Sequence, residues 1–271
     1  MVDAFDSPYI QIFRSELKLN LLICLLEGGK ELGTLREELG SSGSTIIHAL
    51  QDLESITLTH KQDKMYKLTS IGKVFSIFLK EIGSMIIVLD DFKDFWLRHD
   101  VDAIPSDLLK RIGELEDSYL VKDSMTDLAK VHMTFQEILL TSRNLRGASP
   151  IFHPDYIVAF QKLLSNGANV ELILTSDVLQ RTLSLVDPKE LVSYVQEERL
   201  RVYLMDELRV ALTVTENSFS LGLFNNNGNY DYGMDLISNS AKSIRWGQEL
   251  FDMLLENAQT LDWEQIPFEN T

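Results

Sequence analysis

Cysteine is almost missing from this chain: Cys24 stands alone among 271 residues. An internal disulfide is therefore excluded, and a reducing, cytoplasmic setting is expected. Long apolar runs are missing too. None reaches the ~18 uninterrupted residues of a membrane span. The patch LNLLICLLEGG is too short for one, follows Lys18, and reads as helix core, with Cys24 as a small buried hydrophobe. Histidine is sparse. His48, His60, His99, His132 and His153 form no H-x-x-x-H or Cys/His pattern, so no metal is expected. His99-Asp100 reads as a turn or cap ahead of Pro105. No Gly-x-Ser-x-Gly elbow surrounds Ser149 and no glycine-rich phosphate loop follows a strand, so the reading includes no catalytic residue, no cofactor and no enzyme activity.

Positive charge is also scarce: 25 Lys+Arg against 41 Asp+Glu give a net −16, which argues at first against a polyanionic partner. The distribution of charge along the chain points the other way. Residues 1–80 hold nine basic and ten acidic residues, a net of −1, whereas the remainder holds 16 and 31, a net of −15. Within 61–80 five lysines face one aspartate. Such asymmetry between two halves marks a module that meets a phosphate backbone.

What is present is strong helical periodicity. SPYIQIFRSELKLNLLICLLEGG predicts a first helix through Ile10, Phe13, Leu17, Leu21 and Cys24, stopped by Gly28-Gly29. LGTLREELG predicts a second. SSGSTIIHALQDLESI predicts a third, capped by its serines, with Ile46, Leu50 and Leu53 inward and Ser44, Thr45, His48 and Gln51 outward. Two alternating runs follow, Thr57–Lys61 and Met65–Thr69, around a Gln62-Asp63-Lys64 turn. Three helices and a hairpin in this order predict a winged helix-turn-helix over 1–70. Its third helix would offer Ser42, Ser44, Thr45, His48 and Gln51 to a groove of double-stranded DNA, and its hairpin would offer Lys61, Lys64 and Lys67 to the phosphates, with Lys73 nearby. The alternative is a module of the same shape that contacts protein and no operator.

A linking helix is expected over 71–98. Ile71, Phe75, Phe78, Ile82, Met85, Leu89, Phe92 and Trp96 keep an a/d spacing, read here as a homodimer seam. The remainder, 99–271, alternates helices and strands and then runs into a strand meander, which predicts an α/β domain with a mixed sheet. Polar residues at strand ends and around the later strands, His153, Thr175, Ser176, Arg209, Tyr230 and Asp231, with Asp177 and Asp235 beside them, are candidates to hold a small-molecule effector.

STIIHALQDLE and YKLTSIGK resemble the third helix and wing exit of ArsR-like winged-helix regulators. HDVDAIPSDLLKRIGELEDSYLV, SPIFHPDYIVAF, VELILTSDV and SIRWGQELF resemble the C-terminal domain of archaeal methanogenesis regulators of the FilR type. The resemblance implies a one-component transcriptional regulator, of a methanogenic archaeon, with a sensing second domain. That domain also resembles half of a phospholipase-D-type α/β fold. The phospholipase signature His-x-Lys-x4-Asp is missing, because His153 is followed by Pro154 and Asp155, so the hydrolytic role does not carry over.

Overall fold

The computed structural model describes residues 7–263. The chain divides into two compact units, one up to Ile86 and the other from Ile87 onward.

The first unit begins with a 3-10 turn at Ile10–Arg14, then α1 (Glu16–Cys24), β1 (Lys30–Glu31), α2 (Leu32–Leu39), α3 (Gly43–Ser55), β2 (Thr59–Gln62), β3 (Met65–Leu68) and the start of α4 (Ser70–Asp91). The expected continuous first helix is broken at Ser15. That residue is extended (φ −131°, ψ 103°), and its hydroxyl accepts the Lys18 N–H to cap α1. The apolar spacing runs on through the break, so periodicity alone hides it. β1 is a further strand, too short to leave a pattern; it pairs antiparallel with β3, giving a three-stranded sheet in the order β1-β3-β2. The core gathers Leu21, Leu22, Leu35, Ile46, Leu50 and Leu53, all essentially without exposure. The start of α4 is held close by Gly72. A Cβ there would sit 1.8 Å from the Leu58 carbonyl oxygen.

The expected helix over 71–98 is interrupted as well. α4 ends at Asp91, Phe92 turns out of the helix (φ −110°, ψ 27°), and α5 covers Lys93–Arg98. Burial of Phe92 and Phe95, and the Trp96 indole donating to the Val88 carbonyl at 3.0 Å, fix that bend. The apolar residues of α4 do not form one seam. Phe75 and Leu79 join the core of the first unit, Val88 is buried in the second, and Ile71, Val74, Ile77, Phe78, Ile86, Ile87 and Leu89 are exposed.

After α5 the second unit continues with α6 (Ser106–Leu109), β4 (Tyr119–Lys122), α7 (Lys130–Thr141), β5 (Asn144–Ser149), α8 (Pro154–Ser165), β6 (Asn169–Leu174), α9 (Ser176–Leu183), α10 (Pro188–Gln196), β7 (Leu200–Leu204), β8 (Val210–Thr215), β9 (Phe219–Leu223), β10 (Met234–Ser238), α11 (Ala241–Leu255) and β11 (Gln259–Thr260). These strands form one mixed eight-stranded sheet in the order β11-β7-β6-β5-β8-β9-β10-β4. β5, β6 and β7 are parallel and the other neighbours antiparallel. The mixed α/β sheet agrees with the sequence pattern. β4 lies at one edge as the partner of β10, and β5 lies mid-sheet between β6 and β8. The segment NLRGAS has no β-branched residue, so β5 owes its place to its neighbours and not to propensity.

The period of two along each strand sorts side chains onto two faces. Arg146 on β5 lies over the Phe251 ring of α11 at 4.3 Å, Phe219 meets Trp246 edge-on, and Gly247 lets α11 approach β8 and β9. The opposite face carries Leu145, Val170, Leu174, Leu200 and Val202, packed under α7 to α10. Among the described residues no helix is long and apolar enough to cross a membrane.

Candidate functional site

Two places concentrate unusual chemistry, one in each unit. The first is α3 with its hairpin. Ser42 is the N-cap: its Oγ accepts the Thr45 N–H at 3.3 Å and lies 2.9 Å from the Ser44 and 2.8 Å from the Thr45 hydroxyl. Ser42, Ser44, Thr45, His48 and Gln51 are exposed or half-buried, while Ile46, Leu50 and Leu53 are buried beneath them. The helix itself contains no Lys or Arg, and its Asp52 is paired to Lys18 at 2.8 Å, so one of its two carboxylates is offset.

The three hairpin lysines do not share one face. β2 and β3 pair Lys61 with Tyr66 and His60 with Lys67. Lys61 sits with its ammonium 5.0 Å from the Tyr66 ring centre. Lys67 lies on the other face; its stem crosses Gly29 and its ammonium donates to the Gln62 side chain at 3.0 Å. Lys64 is at the exposed tip, beside Asp63 in a left-handed turn (φ 54°). Among the described residues no carboxylate lies within ion-pair distance of Lys61, Lys64, Lys67 or Lys73. In the same unit Cys24 donates its thiol to Glu38 at 2.8 Å. Burial, then that bond, pushes the thiol up to about 11, which disfavours the thiolate.

The second place is a cavity of about 130 Å³ between the sheet and α7 to α10, far more than the ~10–15 Å³ that one water needs. Its lining has two characters. Toward β6 and β7 it is aliphatic, with Leu164, Leu172, Leu174, Val178 and Val202. Toward β8 to β10 it is small and polar, with Ala211, Thr213, Ser220, Tyr230 and Asp235. Gly222 makes room there. A Cβ on it would meet the Tyr230 hydroxyl at 2.1 Å and Asp235 Oδ1 at 2.7 Å. Asp235 is only 6% exposed; its Oδ2 accepts from Ser220 Oγ at 3.2 Å, and its Oδ1 is buried with no hydrogen-bond partner. Burial is the main reason its carboxyl is raised to about 6, and Asp231 and Asp123 push the same way against the Ser220 bond and the nearby Tyr230 phenol. Burial likewise raises the phenols of Tyr230 and Tyr156.

Of the residues expected around an effector, His153, Tyr230 and Asp235 line this cavity. Thr175 caps α9 by accepting the Val178 N–H, and Ser176 opens that helix. Arg209 pairs with Asp100 and Glu207, each at 3.3 Å. Asp231 lies 3.3 Å from Nε2 of the buried His99, whose Nδ1 is 2.7 Å from the Phe95 carbonyl. His132, His153 and Asp155 bring one donor atom each within 4.8 Å, a set of the types that hold divalent ions, although His153 Nδ1 already accepts the Asp155 N–H at the start of α8. No local motif announces that trio, because His132 comes from α7, His153 caps α8 and Asp155 lies in its first turn. The cavity floor did leave a signal: small residues at alternate positions of β8 and β9.

Comparison with known proteins places both units. Residues 10–87 match the model of the FilR1 N-terminal domain, and residues 128–257 that of the middle domain of methanogenesis regulatory protein FilR1. The curated methanogenesis regulatory protein FilR1 of Methanothrix harundinacea (strain 6Ac) is 32% identical over 261 residues, covering 93% of this chain. The chain spans 58% of that relative's length. Among solved structures, TrmBL2, an archaeal chromatin protein, aligns over 91% of this chain and 95% of its own at a TM-score of 0.43 and 15% identity. NucT from Helicobacter pylori aligns over 53% of this chain and 98% of its own at 0.39 and 14%, and the phospholipase D family member Nuc from Salmonella typhimurium over 53% and 97% at 0.37 and 8%. At these TM-scores the structural likenesses fix neither fold nor function. The sequence matches do carry weight: the chain belongs to the FilR1 methanogenesis regulatory protein family, as its N-terminal and middle domains.

Proposed function

We propose that the first unit is a winged helix-turn-helix of the ArsR-like type that binds double-stranded DNA, and that the second senses a small molecule. The observation that carries the first part is the hydroxyl and amide face of α3 beside a hairpin whose lysines have no carboxylate partner among the described residues. Groups of this kind read base edges and phosphates, and free ammonium groups displace counterions from the backbone. The first 80 residues carry a net charge of only −1, and the lysines gather at the hairpin within them.

The protein acts as a homodimer in this reading. The exposed apolar residues of α4, among them Ile71, Val74 and Phe78 with Phe13 beside them, are covered by a second copy. Two copies double the phosphate contacts and match a two-fold operator. Size-exclusion chromatography with light scattering tests this; a monomer at assay concentration refutes it. The effector acts by binding one arrangement of the pair better than another.

The direct test is a gel shift of genomic fragments at two salt concentrations. Lys64 at the tip and one face lysine from each hairpin, four per dimer on phosphates, imply an affinity loss of roughly a hundredfold between about 50 and about 200 mM salt. No retarded fragment at low salt, with binding to a protein partner instead, would establish the rival protein-contact module.

A further inference from the structure

The cavity in the second unit is more specific than a generic pocket, and its specificity lies in one atom. Asp235 sits in β10, a strand whose five residues are all buried. One carboxylate oxygen is engaged by Ser220; the other is buried with no partner in good hydrogen-bond geometry, although the Tyr230 phenol is close enough to act on the carboxyl. An unmet buried acceptor is costly to keep, by more than most surface interactions return. This one faces a space with room for a ligand, and the alternation of β8 and β9 puts Ala211, Thr213, Ser220 and Gly222 around it, none large enough to close the space.

The rest of the lining sets what can enter. Among the described residues no lysine or arginine lines the cavity. An anionic head would be placed against a carboxylate with no guanidinium or ammonium to balance it. Asp231 and Asp123 act on Asp235 with the same sign and make the end of the cavity still less hospitable to an anion. Toward β6 and β7 the lining is mostly hydrocarbon, with Leu172, Leu174, Val178 and Val202.

We infer that this cavity binds an aliphatic molecule with a nitrogen head that donates hydrogen bonds, the head on Asp235 and the chain toward β6 and β7. The donor satisfies Asp235 Oδ1 and leaves the Ser220 bond in place. A cationic head is favoured over a neutral one, because the carboxyl is mostly ionised at neutral pH. This deepens the effector part of the function proposed above, and it can be tested without DNA, so its failure leaves the DNA-binding reading untouched.

The experiment is calorimetric titration of the full chain at pH 7.5 with hexylamine, hexan-1-ol and hexanoate. Hexylamine binds saturably in the millimolar range or below and at least about tenfold more tightly than hexanoate, the scale of a charge-assisted hydrogen bond to a buried group. Asp235→Asn abolishes the preference for the amine while the alcohol still binds. Hexanoate binding as tightly as hexylamine, or no saturable hexylamine binding up to millimolar concentration, overturns the proposal. An amine preference that survives in Asp235→Asn overturns the placement of the head. Should that variant fail to fold, the contrast between amine and carboxylate in the unmodified chain still decides.

Discussion

The two units handle polar chemistry in opposite ways. In the first, the groups that stand out are at the surface: hydroxyls on α3, ammonium groups on the hairpin, with a dense aliphatic core directly underneath. Solvation makes such groups easy to carry, and apart from those that cap or pack, Ser42 and Lys67, they change stability little in either direction. In the second, the group that stands out is Asp235, inside the sheet with one oxygen unmet. A buried carboxylate opposes folding, and its persistence calls for a use. The lesson is that a binding surface can be added to a fold with little energetic penalty, whereas a binding interior is bought with stability. Mutation should therefore separate the two units by sign as well as by size.

The largest effect is expected at Gly72. A Cβ 1.8 Å from the Leu58 carbonyl oxygen forces backbone to move, since neither atom belongs to a flexible side chain. Gly72→Ala should cost the first unit about 3 kcal/mol or more, at the upper end of overpacking. Gel shift is lost, and urea denaturation followed by circular dichroism shows an early transition. Hexylamine titration is unchanged. If the substitution removes that binding too, the contrast between the units is not a contrast between separable bodies.

Asp235→Asn should move stability the other way. The carboxyl titrates near 3.8 when unfolded and at about 6 when folded, because burial disfavours the charge. Between those values the folded state holds the proton more tightly, so stability falls as pH rises from about 4 to about 6 and stays low above. Asparagine is free of that loss. The variant should exceed the parent by roughly 2–3 kcal/mol at pH 7.5, with the difference shrinking toward pH 4. Urea midpoints at both pH values measure it. A variant less stable than the parent at pH 7.5 would mean that the carboxylate stabilises the fold.

Ser42→Ala comes next, at about 1 kcal/mol for loss of a helix cap. Ser42→Asp distinguishes cap from contact. Aspartate caps as well as serine, so the thermal midpoint returns, but the added negative charge weakens DNA binding. Recovery of both would show that Ser42 serves only α3.

How much of this was legible in the sequence follows from the range over which each feature is written. α3 is local: its cap, its apolar stripe and its outward face occupy one run of 14 residues, Ser42 to Ser55, and all three were readable. The breaks at Ser15 and Phe92 were not, because the apolar spacing continues across them. β5 was hidden by its composition; an Asn-Leu-Arg-Gly-Ala-Ser strand exists because β6 and β8 flank it. Arg209 and Asp231 have partners, Asp100 and His99, more than a hundred residues away, which no local pattern reveals. Asp235 was visible as the one charge in its strand, but the surroundings of its second oxygen depend on where Ser220 and Gly222 fall across the sheet.

The smallest effect is expected at Lys64, and it is the most diagnostic of the surface half of the comparison. Lys64 is at the hairpin tip, exposed and without an ion-pair partner among the described residues, so Lys64→Ala should leave the thermal midpoint where it is. Its effect on DNA should be uniform across sequences, because a phosphate contact carries no base information. The slope of log affinity against log salt should fall by about one per lysine removed from a phosphate. Lys67 makes a useful contrast. Its ammonium is held by Gln62 and its stem packs across Gly29, so Lys67→Ala should lower the thermal midpoint as well as the slope. If Lys64→Ala leaves the slope unchanged while Lys61→Ala lowers it, the backbone runs along the Tyr66 side of the hairpin and misses the tip.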